Sequence, residues 1–353
     1  MAPRRAVVVG TGLIGGSIGL ALRARGWHVS GTDRDPARAE RALVLGAVDA
    51  VGADPAAELT FVATPVGAIP AAAAGGLLAG GVVTDVGSTK ARVVEAIDSD
   101  RFVGGHPMAG SEQEGVDGAD AALFRGAVWV LTPTPTTDAA AHQLVRSVVT
   151  SFGAEVVELP PDRHDELVAI VSHVPHLTAA TLMGLAAEGA EEHSALLRLA
   201  AGGFRDMTRI ASGHPSIWPD ICVENRDAIV GVLERLEAGL AAMRGRVERG
   251  DRDALLGTLE AARAARLNIP TRGVRPDELA EVRVPAADRP GSLAEVTTLA
   301  SELGVNIFDL EVAHSAEGET GVFILLVELA RAELLRGGLL ARGYRPAATR
   351  PLT

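Results

Sequence analysis

The chain is short of cysteine, lysine and aromatic side chains. Among its 353 residues Cys222 is the one cysteine and Lys90 the one lysine. A single thiol excludes an intrachain disulfide. No metal-ligand spacing surrounds it, so no metal site is expected and a reducing cytoplasm is the simplest setting. Aromatic residues make up 3% and the formal net charge is −12. A nucleic-acid binder needs a basic face or stacking platforms, so no nucleic-acid partner is expected. An anionic ligand would have to be held by local arginines against the overall field.

Uninterrupted apolar runs are missing too. Residues 6–22 are uncharged and follow Arg4-Arg5 as in a secretory leader, but five glycines break the run. Residues 59–84 carry no charge and are long enough to span a bilayer, yet Pro65, Pro70 and five glycines divide them. A buried strand, an alanine-rich helix and a second buried strand explain that composition, and no membrane partner is expected.

What remains is an ordinary globular balance, 47% apolar and 22% charged, in a chain long enough for two or three domains. Short apolar strands are expected at 5–10, 27–32, 59–63, 82–85, 102–104, 127–131 and 154–157. They alternate with helices such as 14–25 and 139–149, which implies an α/β domain with a parallel sheet over residues 1–160. Residues 161–270 read as helical, with Asp162 as an N-cap. Leu233, Leu236, Leu240 and Met243 recur on one helical stretch, either as plain core or as a subunit interface. A Pro/Gly linker at 268–276 leads to residues 278–353. There the order strand–helix–strand–strand–helix–strand fits a small ferredoxin-like α+β module.

Gly10-Thr11-Gly12-Leu13-Ile14-Gly15 follows a strand, opens a helix, and precedes an acidic residue at the end of the next strand. That context makes it a Rossmann-type dinucleotide fingerprint. Gly10 permits the tight turn, Gly12 the approach of a pyrophosphate, and Gly15 close helix–strand packing. The pyrophosphate would sit on the helix N-terminus. Asp33 would accept the ribose hydroxyls and favour NAD over NADP. Arg34 beside it could accept a 2′-phosphate, and Asp33 could equally be a turn residue. Leu13, Ile14, Thr64 and Pro65 complete the expected cofactor contacts.

Asp85-Val86-Gly87-Ser88-Thr89-Lys90 lies at the carboxyl end of a strand, where α/β sheets place ligands. Gly105-His106-Pro107-Met108-Ala109-Gly110-Ser111-Glu112 reads as a loop after the next strand, so Ser88 and His106 are expected to face one crevice. A histidine there can be a general base, with Ser88 orienting it or holding a substrate hydroxyl. Downstream stand Ser172-His173-Val174-Pro175-His176, with Pro175 expected to break the helix. Residues 202–212 follow, with Arg205, Asp206 and Arg209, and then Trp218. Arg205 and Arg209 share a helix face, as a pocket lip or as a solvated surface.

These stretches (GTGLIGGSIGLAL, TDVGSTKA, GGHPMAGSE, SHVPH, and GGFRDMTRIA followed by Trp-x-Asp-Ile) resemble the prephenate/arogenate dehydrogenases of tyrosine biosynthesis, in order, over residues 6–226. The resemblance implies an NAD-dependent oxidative decarboxylation, with His106 and Ser88 catalytic. It implies that Arg209 binds a substrate carboxylate, that His176 and His173 hydrogen-bond substrate, and that Ser111, Glu112 and Trp218 shape the pocket. His173 as a satisfied core residue stays open. DRPGSLAEV and LGVNI resemble an ACT domain, a regulatory module. This puts Asp288, Pro290, Gly291, Ser292 and Asn306 at an effector edge with tyrosine as the feedback ligand, or else makes the module a structural appendage. A homodimer through the helical domain and a monofunctional enzyme are the accompanying expectations. Prephenate and arogenate both remain possible substrates. A β-hydroxyacid dehydrogenase would need a lysine on the helical domain, which this chain lacks. A non-catalytic nucleotide sensor would not need the Ser88/His106 pair.

Overall fold

The computed structural model describes residues 2–110, 113–192, 196–267, 278–287, 289–314, 320–347 and 350–351. Ser111, Glu112, Asp288 and the expected linker lie outside the described residues. The chain divides into two compact units, Met1–Leu182 with Ile210–Leu236, and Met183–Arg209 with Glu237–Thr353.

The first unit opens with β1 (Arg5–Val9), α1 (Leu13–Arg23), β2 (His28–Thr32), α2 (Pro36–Val44), β3 (Ala50–Val51), β4 (Leu59–Val62), α3 (Ile69–Leu78) and β5 (Val82–Asp85). It continues with α4 (Ala91–Glu95), β6 (Phe102–Pro107), β7 (Val128–Thr132), α5 (Ala139–Ser151) and β8 (Glu155–Glu158). The strands form one eight-stranded sheet in the order β3-β2-β1-β4-β5-β6-β7-β8. β4 is buried along its whole length, as a strand covered on both faces must be, and its sequence is apolar apart from Thr60. Four of the chain's few aromatic side chains, Phe61, Phe124, Trp129 and Phe152, pack together in the core.

The sheet is not wholly parallel, as the strand–helix alternation suggests it should be. β6 pairs antiparallel with β7, with His106 opposite Val130. Among the described residues between β6 and β7 there is no α-helix, and the segment carries one short 3₁₀ turn at Val116–Gly118. The chain therefore lacks the crossover that a parallel pair requires. The expected strand at 102–104 also runs on to Pro107 and takes in His106.

Helices α6 (Pro161–Val168) and α7 (Val174–Glu192) are joined by a π turn, Ala169–His173, in which Val174 donates to the Ala169 carbonyl. The helix does not break at Pro175. The widened turn absorbs a proline that has no N–H to donate and whose ring would crowd the carbonyl four residues back. Nor is Asp162 the N-cap. Pro160 holds that position and Pro161 starts the helix, because proline's fixed φ and missing N–H suit the first turn. The run Pro161–Ala190 is long and apolar enough to cross a membrane by length and composition, yet His164, Asp165 and His173 within it are buried and hydrogen-bonded.

Further on come α8 (Gly202–Thr208), α9 (Trp218–Glu224), α10 (Arg226–Arg249) and α11 (Arg252–Leu267). Ala169, Val174 and Ile229 form a helical core with Leu233 and Leu236 against it. Leu240, on the same stripe, is 59% exposed, so the stripe is not all core.

The second unit contains β9 (Leu279–Ala287), α12 (Ser292–Glu302), β10 (Ile307–His314), β11 (Thr320–Glu328), α13 (Leu329–Ala341) and β12 (Arg350–Pro351). They build an antiparallel sheet in the order β10-β11-β9-β12. α12 and α13 cover it through Val296, Leu299, Ala332, Leu335 and Leu339. This is a small α+β domain with the expected strand and helix order.

Candidate active site

The glycine loop is built by steric necessity. Gly10 sits at φ +94, and a Cβ there would lie 2.4 Å from the Ala63 carbonyl oxygen. A Cβ on Gly15 would lie 1.8 Å from the Gly10 oxygen, whereas one on Gly12 would meet nothing within 4 Å. Gly12 caps α1 without a side-chain hydrogen bond, so the first-turn N–H groups of that helix are not used by a capping side chain. An open approach to such a helix start is the arrangement that suits a pyrophosphate. Beside it, Thr64 Oγ1 is buried with no hydrogen-bond partner among the described residues. These residues fit a dinucleotide. The Asp33 carboxylate accepts from Thr11 N at 2.8 Å and from Asp35 N at 3.0 Å, so it ties the glycine loop to the following turn. Arg34 is exposed next to it.

Ser88 and His106 line one cavity of about 290 Å³ together with Met108, His173, Trp218 and Ile221. His176 stacks on Trp218 with ring centroids 3.6 Å apart, and His173 meets the same indole edge-on. Arg209 does not belong to this unit. It follows α8 as the first residue of a 3₁₀ turn, Arg209–Ser212, so it does not share an α-helix with Arg205.

Behind His106 lies a buried network with no counterpart in the sequence reading. His106 Nδ1 is 2.9 Å from His164 Nε2, and His164 Nδ1 is 2.7 Å from Asp165 Oδ1. The Asp165 carboxylate also accepts from Lys90 N at 2.8 Å and Ala91 N at 2.9 Å, which caps α4 from a distant helix. Asn225 Nδ2 reaches the Asp165 carbonyl at 2.9 Å and His173 Nδ1 at 3.1 Å. An ionised carboxylate only accepts, so His164 presents its N–H to Asp165 and a lone pair to His106. His106 then donates from Nδ1 and keeps Nε2 free as an acceptor. Burial drives the His106 ring well below the usual histidine range, and His164, Lys90 and His173 push the same way. Burial likewise lowers His173 to about 4, with Asp165 pulling the other way. A neutral His106 with one free ring nitrogen can take a proton.

Only the pairing of adjacent His164 and Asp165 at the start of a helix, and the solitary Lys90, could have signalled this network in advance. Neither pattern is specific.

In the small α+β domain, Ser292 is buried and donates to the Ala287 carbonyl at 2.8 Å. Gly291 and Ser292 line a groove of about 200 Å³ with Arg289, Val312 and Phe323. Pro290 and Asn306 are exposed and outside that lining.

Residues 18–158 match the family model for the prephenate dehydrogenase nucleotide-binding domain, and residues 160–261 match that for the prephenate dehydrogenase dimerization domain. The chain is 33% identical to a prephenate dehydrogenase of Bacillus subtilis over 334 residues, 90% of each chain. It resembles a crystal structure of Aquifex aeolicus prephenate dehydrogenase in complex with hydroxyphenyl propionate and NAD+, with TM-score 0.72 and 30% identity, covering 76% of this chain and 99% of that one. A Synechocystis arogenate dehydrogenase structure is also similar, with TM-score 0.66 and 30% identity over 74% of this chain and 98% of that one.

Proposed function

The chain belongs to the prephenate dehydrogenase family, and from that premise we propose that His106 is the base in its NAD-dependent oxidative decarboxylation of prephenate to 4-hydroxyphenylpyruvate. The observation that carries this role is the His106–His164–Asp165 chain of hydrogen bonds ending at the cavity that Ser88 shares. Asp165 sets the tautomer of His164, His164 sets that of His106, and Nε2 of His106 receives the proton of the substrate's ring hydroxyl. Ser88 holds that hydroxyl. Gly10–Gly15, with Thr64 and Pro65 beside them, would hold NAD, which when bound would supply the hydride acceptor, and Asp33 would take the adenosine ribose. Loss of CO2 aromatises the ring and makes the reaction effectively irreversible. A base so positioned contributes about 10²–10⁴ in rate.

His173, His176 and Trp218 form the substrate-side wall, with Ser111 and Glu112 assigned to it by their motif. Arg209 binds a substrate carboxylate. A charge-assisted hydrogen bond of that kind contributes roughly 1.5–3 kcal/mol, so Arg209→Gln should raise KM about tenfold or more; an unchanged KM would return Arg209 to the solvated surface. We read the chain as three domains: 1–160 for the nucleotide, 161–270 for substrate and dimerisation, and 278–353 as an ACT-like regulatory domain. The half-exposed apolar stripe at Leu240 suits a homodimer. Tyrosine is the proposed effector at the Gly291–Ser292 groove, and Asp288, Pro290 and Asn306 are assigned to the same effector site by the resemblance alone. The setting is cytoplasmic.

Prephenate and arogenate differ only in a keto or amino side-chain carbon. The test is NADH formation with each at equal concentration. Turnover with either supports the reaction class, and the ratio of kcat/KM names the substrate. NAD binding without turnover on either would remove the roles of His106 and Ser88.

A further inference from the structure

Lys90 and Asp85 are both fully buried and form an ion pair. Neither lines the cavity. Burying two charges is costly, and a packed apolar pair of the same volume is often as stable. The pair therefore calls for a reason beyond stability, and the other bonds of Asp85 supply one. Its Oδ2 accepts from Gly87 N at 2.8 Å and its Oδ1 from Gly105 N at 3.0 Å. Those amides belong to the residues immediately before Ser88 and His106. A single carboxylate thus spans β5 and β6 and sets both reactive side chains from behind.

The surroundings leave this carboxylate little room. A Cβ on Gly87 would lie 2.6 Å from Ile69 Cδ1 and 2.9 Å from Asp85 Oδ2, and one on Gly105 would lie 2.7 Å from the Asp85 carbonyl oxygen. Bare backbone is packed directly against the pair. Lys90 also closes the circuit on the other side, because its own amide donates to Asp165. The links run Asp85 to Gly105, then along the chain to His106, and on through His164 and Asp165 to Lys90 and back to Asp85.

We propose that the buried Lys90–Asp85 pair is the positioning element of the reaction centre, holding Ser88 and His106 in one frame through the amides of Gly87 and Gly105. The proposal rests on the reading that His106 and Ser88 meet the substrate. The charge on Lys90 acts in addition as one of the influences that hold His106 in its neutral form.

Asp85→Asn is the decisive variant. The amide keeps the shape, but its oxygen can accept from only one of the two backbone N–H groups, and its own NH2 opposes the other. Misplacement of reacting groups by about 1 Å can cost about 10²-fold. The expected result is a kcat lower by about 10²-fold, with KM and the NAD Kd within roughly threefold of the parent. Lys90→Met, which removes the charge that neutralises Asp85, should lose about tenfold in kcat on the same argument.

A second readout is independent of turnover: the downfield proton resonance of the His106–His164 hydrogen bond, identified as the one missing from His106→Asn. It should shift or vanish in Asp85→Asn. If Asp85→Asn does not fold, Lys90→Met and the neutral double variant Lys90→Met/Asp85→Asn face the same two measurements. A lowered melting temperature with kcat and the ring proton both unchanged would overturn the proposal and leave the pair a structural staple. If His106→Asn itself keeps full turnover, it is the assignment of the base that fails, and the ring proton alone then decides whether the pair positions His106.

Discussion

The glycine loop and the His106 network sit on the same sheet but are specified by opposite means. Around Gly10 and Gly15 the chain succeeds by having no side chain, since a Cβ at either position would sit 2.4 Å or 1.8 Å from a backbone oxygen. Behind His106 it succeeds by burying charged and polar side chains: Lys90, Asp85, His164 and Asp165 are all at most 4% exposed. The first region is a shape that admits a ligand. The second is a set of directed bonds that fixes a tautomer and an orientation. Damage to the first should appear as weakened cofactor binding or lost stability. Damage to the second should appear in kcat with binding left alone.

The largest effect should follow from His106→Asn. The amide preserves size and polarity but cannot accept a proton near neutral pH. We expect kcat to fall by about 10²–10⁴-fold, while the NAD Kd measured by calorimetry stays at the parent value. A fall in cofactor affinity of the same size would erase the distinction between the two regions. Asp165→Asn tests the same chain one step back. It removes the acceptor that orients His164 and weakens the cap on α4, so both kcat and melting temperature should drop.

How far each region could be read in advance follows from the same contrast. The glycine loop is local: strand, turn and helix are consecutive, so the spacing of Gly10, Gly12 and Gly15 already states the geometry. The small α+β domain was legible for a similar reason, its strands and helices following one another along the chain. The network behind His106 joins residues 85, 90, 106, 165 and 225 through bonds between distant parts of the chain, and no spacing rule encodes such bonds. The antiparallel pairing of β6 with β7 was missed because the hydrophobic pattern of a strand carries no direction. The π turn at Ala169–His173 was missed because Pro175 reads as a break, whereas the helix absorbs it by widening.

Two single-methyl changes inside the fingerprint sharpen the comparison. Gly15→Ala drives a Cβ into the Gly10 carbonyl, 1.8 Å away, so strand and helix must separate. Overpacking of this kind costs about 1–3 kcal/mol. The melting temperature should fall by about 2–4 °C per kcal/mol, and cofactor affinity should fall with it. Gly12→Ala meets no protein atom within 4 Å. Its melting temperature should match the parent, and only the NAD Kd should rise, because the added methyl occupies the approach to the start of α1. Equal losses of stability in both variants would contradict the division of roles between the two glycines.

The smallest effect expected is on stability as a function of pH, and it separates the regions by charge. His173, 1% exposed, is lowered by burial to about 4, and His106 is also held well below the ordinary value. An unfolded histidine takes its proton near 6.5. Between those values the unfolded chain binds a proton that the folded chain refuses. The stability that His173 contributes is therefore complete above about pH 6.5 and is lost as the pH falls toward 4, by about 1.4 kcal/mol per pH unit. No histidine lies in the glycine loop, so NAD affinity should hold steady from pH 7.5 to 6 while the melting temperature begins to drop. His173→Gln, which keeps a hydrogen-bonding group near Asn225 without a titrating ring, should flatten that decline. A melting temperature with the same pH slope in His173→Gln as in the parent would mean that the acid sensitivity comes from a group other than His173.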